Sequence, residues 1–144
     1  TWLILRSEDS SYYSLPFGAN GDIPAPGDFD GDGRADPTIF RPSTGAWYSL
    51  QSAGGVSIRT FGTNGDQPVV GDYNGDGVSD TAIYRPSLGQ WWISMTGSGS
   101  VIAYTFGTAA DRAVPGDYTG DGKADLAVWR PSSGRGRVAT ARTT

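Results

Sequence analysis

One decapeptide pattern occurs three times in this chain: GDFDGDGRAD at residues 27–36, GDYNGDGVSD at 71–80 and GDYTGDGKAD at 116–125. Two other marks keep step with it. Phe17-Gly18 returns at Phe61-Gly62 and Phe106-Gly107, and Arg41-Pro42-Ser43 returns at Arg85-Pro86-Ser87 and Arg130-Pro131-Ser132. Every series advances by 44 and then 45 residues, so the 144-residue chain is a tandem array of one supersecondary unit. A unit of this size cannot bury both of its faces alone and must stack on its neighbours.

Each unit reads as four short strands. In the middle copy the first is Pro68-Val69-Val70, before the Asp-rich loop, and the second is Thr81-Ala82-Ile83-Tyr84, after it. Pro86-Ser87-Leu88-Gly89 then marks a turn, with the glycine able to adopt positive φ. Trp91-Trp92-Ile93-Ser94 makes the third strand, a Gly/Ser turn follows at 97–100, and residues 101–106 make the fourth. No stretch of helical length carries a 3.6-residue apolar period, and the short runs are rich in β-branched and aromatic residues. The 22 Gly and 9 Pro would point to disorder in a chain short of aromatics, but 17 Trp, Tyr and Phe are enough to line a core. Four strands in about 45 residues is the arithmetic of a β-propeller blade. The expected fold is therefore all-β, built of four-stranded antiparallel blades.

The phase of the repeat divides the chain. Residues 1–18 align without a gap on 90–107 and supply the third and fourth strands of a blade. Complete blades are expected over 19–62 and 63–107, a half-blade of first and second strands over 108–134, and a divergent tail over 135–144. In that tail Gly136 stands where the other copies have Trp2, Trp47 and Trp91. Three blade equivalents fall short of the four to eight of a closed propeller. Either the chain is a fragment of a longer propeller, or two copies close head-to-tail into a six-bladed homodimer, each half-blade completing the other.

The repeated loops have the form D-x-[DNT]-x-D-G-x-x-D, with oxygen-bearing side chains at positions 1, 3, 5 and 9 and glycine at position 6. Such spacing suits a hard cation, because alternate side chains turn inward and position 7 can add a backbone carbonyl. The expected ligands are Asp28, Asp30, Asp32 and Asp36 with the Arg34 carbonyl; Asp72, Asn74, Asp76 and Asp80 with the Val78 carbonyl; and Asp117, Thr119, Asp121 and Asp125 with the Lys123 carbonyl. Four side-chain oxygens and a carbonyl approach the six to eight ligands of Ca²⁺ more readily than the strict octahedron of Mg²⁺. Up to three Ca²⁺ per chain are expected, with the four-carboxylate first loop the tightest. An EF-hand would need Glu at position 12, where Ile39, Ile83 and Val128 stand inside predicted strands. The competing reading is turn chemistry without a metal.

The charge balance points the same way. Fifteen acids against eleven bases give a formal charge of −4, yet 14 of the acids are Asp, and ten of those lie in the three loops. Three Ca²⁺ would bring the formal charge to +2. With no Cys and no His, the chain has no disulfide, no thiol nucleophile, no Cys/His zinc site and no imidazole base. An acidic chain lacks the basic footprint of a nucleic-acid binder, and no apolar run approaches the ~20 residues of a membrane span.

On these residues the sequence resembles the FG-GAP/VCBS-type repeat family: Phe-Gly at the unit junction, a Gly-Asp-x-[Asp/Asn/Thr]-Gly-Asp-Gly loop, then a hydrophobic strand. The likeness runs from Trp2 to about Gly134. It implies a propeller with Ca²⁺ in the loops between first and second strands, as in integrin α-subunits, propeller lectins and bacterial surface proteins.

The expected function is a calcium-stabilised, non-catalytic recognition module, secreted or on the cell surface, where millimolar Ca²⁺ would fill loops of modest affinity. Carbohydrate is the expected ligand, since aromatic faces stack on sugar rings; Trp92, Trp47, Tyr48 and Arg85 are the candidate contacts. Aromatics recurring at one phase, Trp2, Trp47 and Trp91, also suit an inter-blade core. Arg41, Arg85 and Arg130 are expected to pair with an Asp or carbonyl of a neighbouring blade. The alternatives are an integrin-like protein–protein adhesion module and a polysaccharide-active enzyme. The enzyme would need a carboxylate pair among Glu8, Asp9, Asp22, Asp66 and Asp111, of which the last three read as turn residues.

Overall fold

Each stretch between turns is too short for anything but a strand, and the turns return the chain on itself, so neighbours in sequence pair in space. The structure, a computed structural model, describes residues 1–132 and 135–139. Among the described residues there are thirteen strands and no helix. They are β1 (Trp2–Leu5), β2 (Tyr12–Leu15), β3 (Ile23–Pro24), β4 (Thr38–Arg41), β5 (Ala46–Leu50), β6 (Val56–Thr60) and β7 (Gln67–Pro68). The remainder are β8 (Thr81–Arg85), β9 (Gln90–Ser94), β10 (Val101–Thr105), β11 (Arg112–Ala113), β12 (Leu126–Arg130) and β13 (Arg135–Ala139).

All pairing is antiparallel between consecutive strands, giving sheets β1-β2, β3-β4-β5-β6, β7-β8-β9-β10 and β11-β12-β13. The chain is thus all-β, with two complete four-stranded propeller blades flanked by partial ones. First strands are shorter than the expected 68–70: β7 holds only Gln67 and Pro68, though the Val69 amide still donates to the Ala82 carbonyl (2.9 Å).

The Pro-Ser-x-Gly turns are tied to the Phe-Gly junctions. Gly45 and Gly89 have φ of 69° and 62°, and a Cβ on either would run into the carbonyl oxygen of Gly62 or Gly107. Only glycine satisfies both demands. The carbonyls of Gly45 and Gly89 accept from the amides of Phe61 and Phe106 (2.8 Å each).

Blades stack through aromatic-on-aliphatic contacts. In the second strand–third strand register Phe40 lies opposite Trp47 and Tyr84 opposite Trp91, each ring pair 5.2 Å apart and tilted. Phe40 and Trp47 pack with Ala25 against Ile83 of the next blade. Tyr84 and Trp91 pack with Val69, Tyr73 and Ile93 against Ala124, Leu126 and Val128. A backbone bond joins successive loops in both interfaces: the Ser79 amide donates to the Asp28 carbonyl and the Ala124 amide to the Asp72 carbonyl, both at 2.7 Å.

Two expectations change here. Trp47, a candidate ligand contact, is 2 % exposed and donates from Nε1 to the Phe61 carbonyl (2.8 Å), so it is core. The stretch expected to be a divergent tail from residue 135 begins with a third strand: β13 pairs with β12 at five positions, Gly136 opposite Trp129. Backbone pairing needs no particular side chain, so loss of the Trp signature hides a strand without preventing it. The rest of that stretch, 140–144, lies outside the described residues.

Candidate functional site

The Asp loops fold around their first residue. Asp28 Oδ1 accepts from the amides of Gly31 (2.8 Å) and Asp32 (3.1 Å), and Oδ2 from Gly33 (2.8 Å). Asp72 does the same with Gly75, Asp76 and Gly77, and Asp117 with Gly120, Asp121 and Gly122. These wraps require the positive φ of both glycines, 80° at Gly31 and 86° at Gly33.

Position 9 closes each loop from below. Asp36, Asp80 and Asp125 are fully buried, and Oδ2 of each accepts the amide of Phe29, Tyr73 or Tyr118. In the first loop, Asp36 Oδ1 takes the amide of Ser52 (2.8 Å), and the Ser52 hydroxyl lies between Asp36 Oδ1 (2.9 Å) and Asp32 Oδ2 (2.6 Å). Thr96 repeats this between Asp80 and Asp76 in the second loop. Neither hydroxyl was among the expected site residues. Their signal is phase: Ser7, Ser52 and Thr96 each stand five places after the Trp of the third strand.

One ligand atom each from Asp28, Asp30 and Asp36 lies within 4.8 Å of the others. Among the described residues the carboxylates of the second and third loops do not converge so closely. Asp32 is drawn aside instead, with Oδ1 on the Arg34 amide and Oδ2 toward Ser52; the latter bond, then the former, lowers its pKa. Asn74 accepts the Asp76 amide on Oδ1 and donates to the Thr96 carbonyl. Val78 packs its side chain over Gly31, its amide donating to Asp76. In the third loop the Thr119 amide donates to Asp125, and the Lys123 amide donates to Asp121. The donor set is all oxygen and suits a hard cation best in the first loop. Burial pushes the Asp80 carboxyl up, against the Thr96 and Tyr73 amides that hold it down.

The recurring arginines pair within their own unit rather than across blades. Arg41, Arg85 and Arg130 make two-pronged bonds to Asp22, Asp66 and Asp111, with every contact between 2.7 and 2.9 Å. The register Gln67↔Tyr84 explains the choice, since it sets Asp66, the residue before β7, beside Arg85 at the end of β8. The same carboxylates cap the turn after Phe-Gly by accepting the amides of Ala19, Thr63 and Thr108. The Arg130 bonds hold the Asp111 carboxyl down at about 2. A carboxyl whose folded pKa is depressed stabilises the fold above its unfolded value, and that contribution is lost as pH falls through the folded value. Unfolding free energy measured in urea is therefore expected to drop between pH 4 and pH 2, with a shallower drop in Asp111→Asn. Equal slopes in the two proteins would refute the assignment.

Between the two complete blades lies a cleft of about 170 Å³ lined by Phe61, Gly62, Thr63, Ile83, Arg85 and Trp92. Trp92 is half-buried, with the Arg85 guanidinium 5.8 Å from its ring centroid. Two candidate contacts, Trp92 and Arg85, thus meet here, although Arg85 commits Nε and Nη2 to Asp66. Tyr48 occupies the equivalent place in the preceding blade, under Arg41 at 4.7 Å. No long apolar helix able to cross a membrane is present among the described residues.

No protein-family model matches the chain, and comparison with curated proteins finds no match. Over 98 % of its length the chain is similar to a solved structure of a streptogramin B lyase, at 14 % identity and a TM-score of 0.48, spanning 54 % of that structure.

Proposed function

We propose that the chain is a non-catalytic recognition module, stiffened by Ca²⁺ in its Asp loops, that binds carbohydrate in the clefts between blades. The reading is carried by the convergence of Asp28, Asp30 and Asp36 in a loop already wound around its first carboxylate. A bound cation there would fix a glycine-rich segment whose ordering is otherwise costly. Loops with partial carboxylate sets suit millimolar Ca²⁺, which supports a module outside the cell or on its surface.

The carbohydrate part is supported by the cleft beside Trp92: an aromatic face for the apolar side of a sugar ring, with Thr63 and Arg85 as the polar residues of its lining. Asp22, Asp66 and Asp111 are tied to arginines, which argues against an acid/base pair for glycoside cleavage. Screening on a glycan array in Ca²⁺, followed by Trp fluorescence titration, tests the reading. Trp92→Ala is expected to weaken sugar binding at least tenfold with little change in melting temperature. A silent array together with saturable binding to a protein ligand would replace carbohydrate by adhesion.

A further inference from the structure

We infer that Ser52 and Thr96 are positioning residues of the Asp loops: each hydroxyl holds the position-5 carboxylate, Asp32 or Asp76, away from the cation set. The turn after the third strand of a blade thereby sets how tightly its loop takes Ca²⁺. The inference rests on the Ca²⁺ reading of the loops and is indifferent to the carbohydrate reading.

Strand register puts these hydroxyls where they are. Thr38 lies opposite Ser49, and the Leu50 amide donates to the Pro37 carbonyl (2.9 Å), so the chain leaving β5 runs beside Asp36. Thr81 opposite Ser94 brings the chain leaving β9 beside Asp80 in the same way. Each turn then meets its Asp loop at three positions. In the first, the Ala53 amide donates to Asp30 Oδ2 (2.9 Å), the Ser52 hydroxyl reaches Asp32, and the Ser52 amide donates to Asp36. In the second, the Thr96 carbonyl accepts from Asn74 Nδ2 (3.2 Å), while the hydroxyl and amide of Thr96 meet Asp76 and Asp80.

A hydroxyl carries one proton, and an ionised carboxylate only accepts. Ser52 Oγ lies 2.6 Å from Asp32 Oδ2 and 2.9 Å from Asp36 Oδ1, and the latter atom already takes the Ser52 amide. The hydroxyl proton therefore goes to Asp32. Thr96 Oγ1 repeats the arrangement, 2.7 Å from Asp76 Oδ2 and 2.8 Å from Asp80 Oδ1, which takes the Thr96 amide. Oδ1 of Asp32 accepts the Arg34 amide and Oδ1 of Asp76 the Val78 amide, so both oxygens at position 5 are engaged. This accounts for the converging group of the first loop, which holds positions 1, 3 and 9 and leaves out position 5.

A hydrogen bond to a charged group is among the stronger ones, and a cation recruiting Asp32 must compete with it. Deleting the hydroxyl costs the Ca²⁺-free protein a bond that the loaded protein has already given up. By linkage, the stability lost without Ca²⁺ returns as a gain in affinity.

Calorimetric titration of Ca²⁺ into the full chain, paired with melting in chelator and in excess Ca²⁺, tests this. Ser52→Ala keeps the backbone amide on Asp36 and is expected to bind Ca²⁺ about tenfold more tightly at one site. It should melt below the unaltered chain in chelator and match it in excess Ca²⁺. Thr96→Val should do the same at a second site, which keeps the test decisive if one variant fails to fold. Ser52→Thr retains a hydroxyl and should keep the affinity of the unaltered chain. Unchanged or weaker binding in both Ser52→Ala and Thr96→Val would overturn the inference and leave the Ca²⁺ reading standing. A melting deficit equally large with and without Ca²⁺ would do likewise, because a merely structural hydroxyl behaves that way. Absence of Ca²⁺ binding by the unaltered chain would overturn both.

Discussion

Trp91→Ala is expected to lower the unfolding free energy by about 3–5 kcal/mol, the usual cost of deleting a buried aromatic. Trp91 is fully buried in the interface between the second complete blade and the last unit. Its ring stacks at a tilt on Tyr84, and Nε1 donates to the Phe106 carbonyl (2.9 Å). Removing it opens a cavity between two blades and strands that carbonyl, so transfer, packing and hydrogen-bond losses fall together. The neighbouring Trp92→Ala removes a half-buried ring from the other face of the same strand and should cost much less. Urea denaturation of both variants measures the contrast; a loss below about 1 kcal/mol for Trp91→Ala would show that the blades do not depend on this contact.

Removal of Ca²⁺ should act on a similar scale. On the proposed reading, free Ca²⁺ tenfold above the dissociation constant would add roughly 1.4 kcal/mol per loop and about 4 kcal/mol for three. For a chain of this size that corresponds to a fall of roughly 10 °C in melting temperature on chelation, recovered when Ca²⁺ is restored. The first loop should hold its ion most tightly, and Asp30→Asn, which gives it the composition of the second, should erase most of that difference. An identical melt in chelator and in Ca²⁺ would leave the loops as hydrogen-bonded turns alone.

The units were legible in the sequence because the repeat supplies its own alignment: Trp47 with Trp91, Ile39 with Ile83, Asp36 with Asp80. What the repeat could not supply was pairing between series. Asp66 and Arg85 are visible as two periodic marks, but their bond depends on how β7 and β8 register across the loop between them. The burial of Trp47 and partial exposure of Trp92 follow from strand alternation, yet which face meets the next blade is settled only by stacking. Thr96 and Ser52 escaped notice because their one signal, a place five residues after the third-strand Trp, gains meaning only once the hydroxyl is seen beside a buried Asp. β13 escaped for the opposite reason, since a strand held by backbone bonds leaves little trace in side chains.

The meander built from consecutive strands has a genetic consequence. Because every strand pairs with its neighbours in sequence, a duplication or deletion of 44 or 45 codons restores the same order of strands wherever the cut falls. Such an event adds or removes one aromatic-to-aliphatic junction and one Asp loop without creating a foreign seam. A chain so built can therefore change length in whole units, as Phe40, Tyr84 and Trp129 hold the same place in successive units.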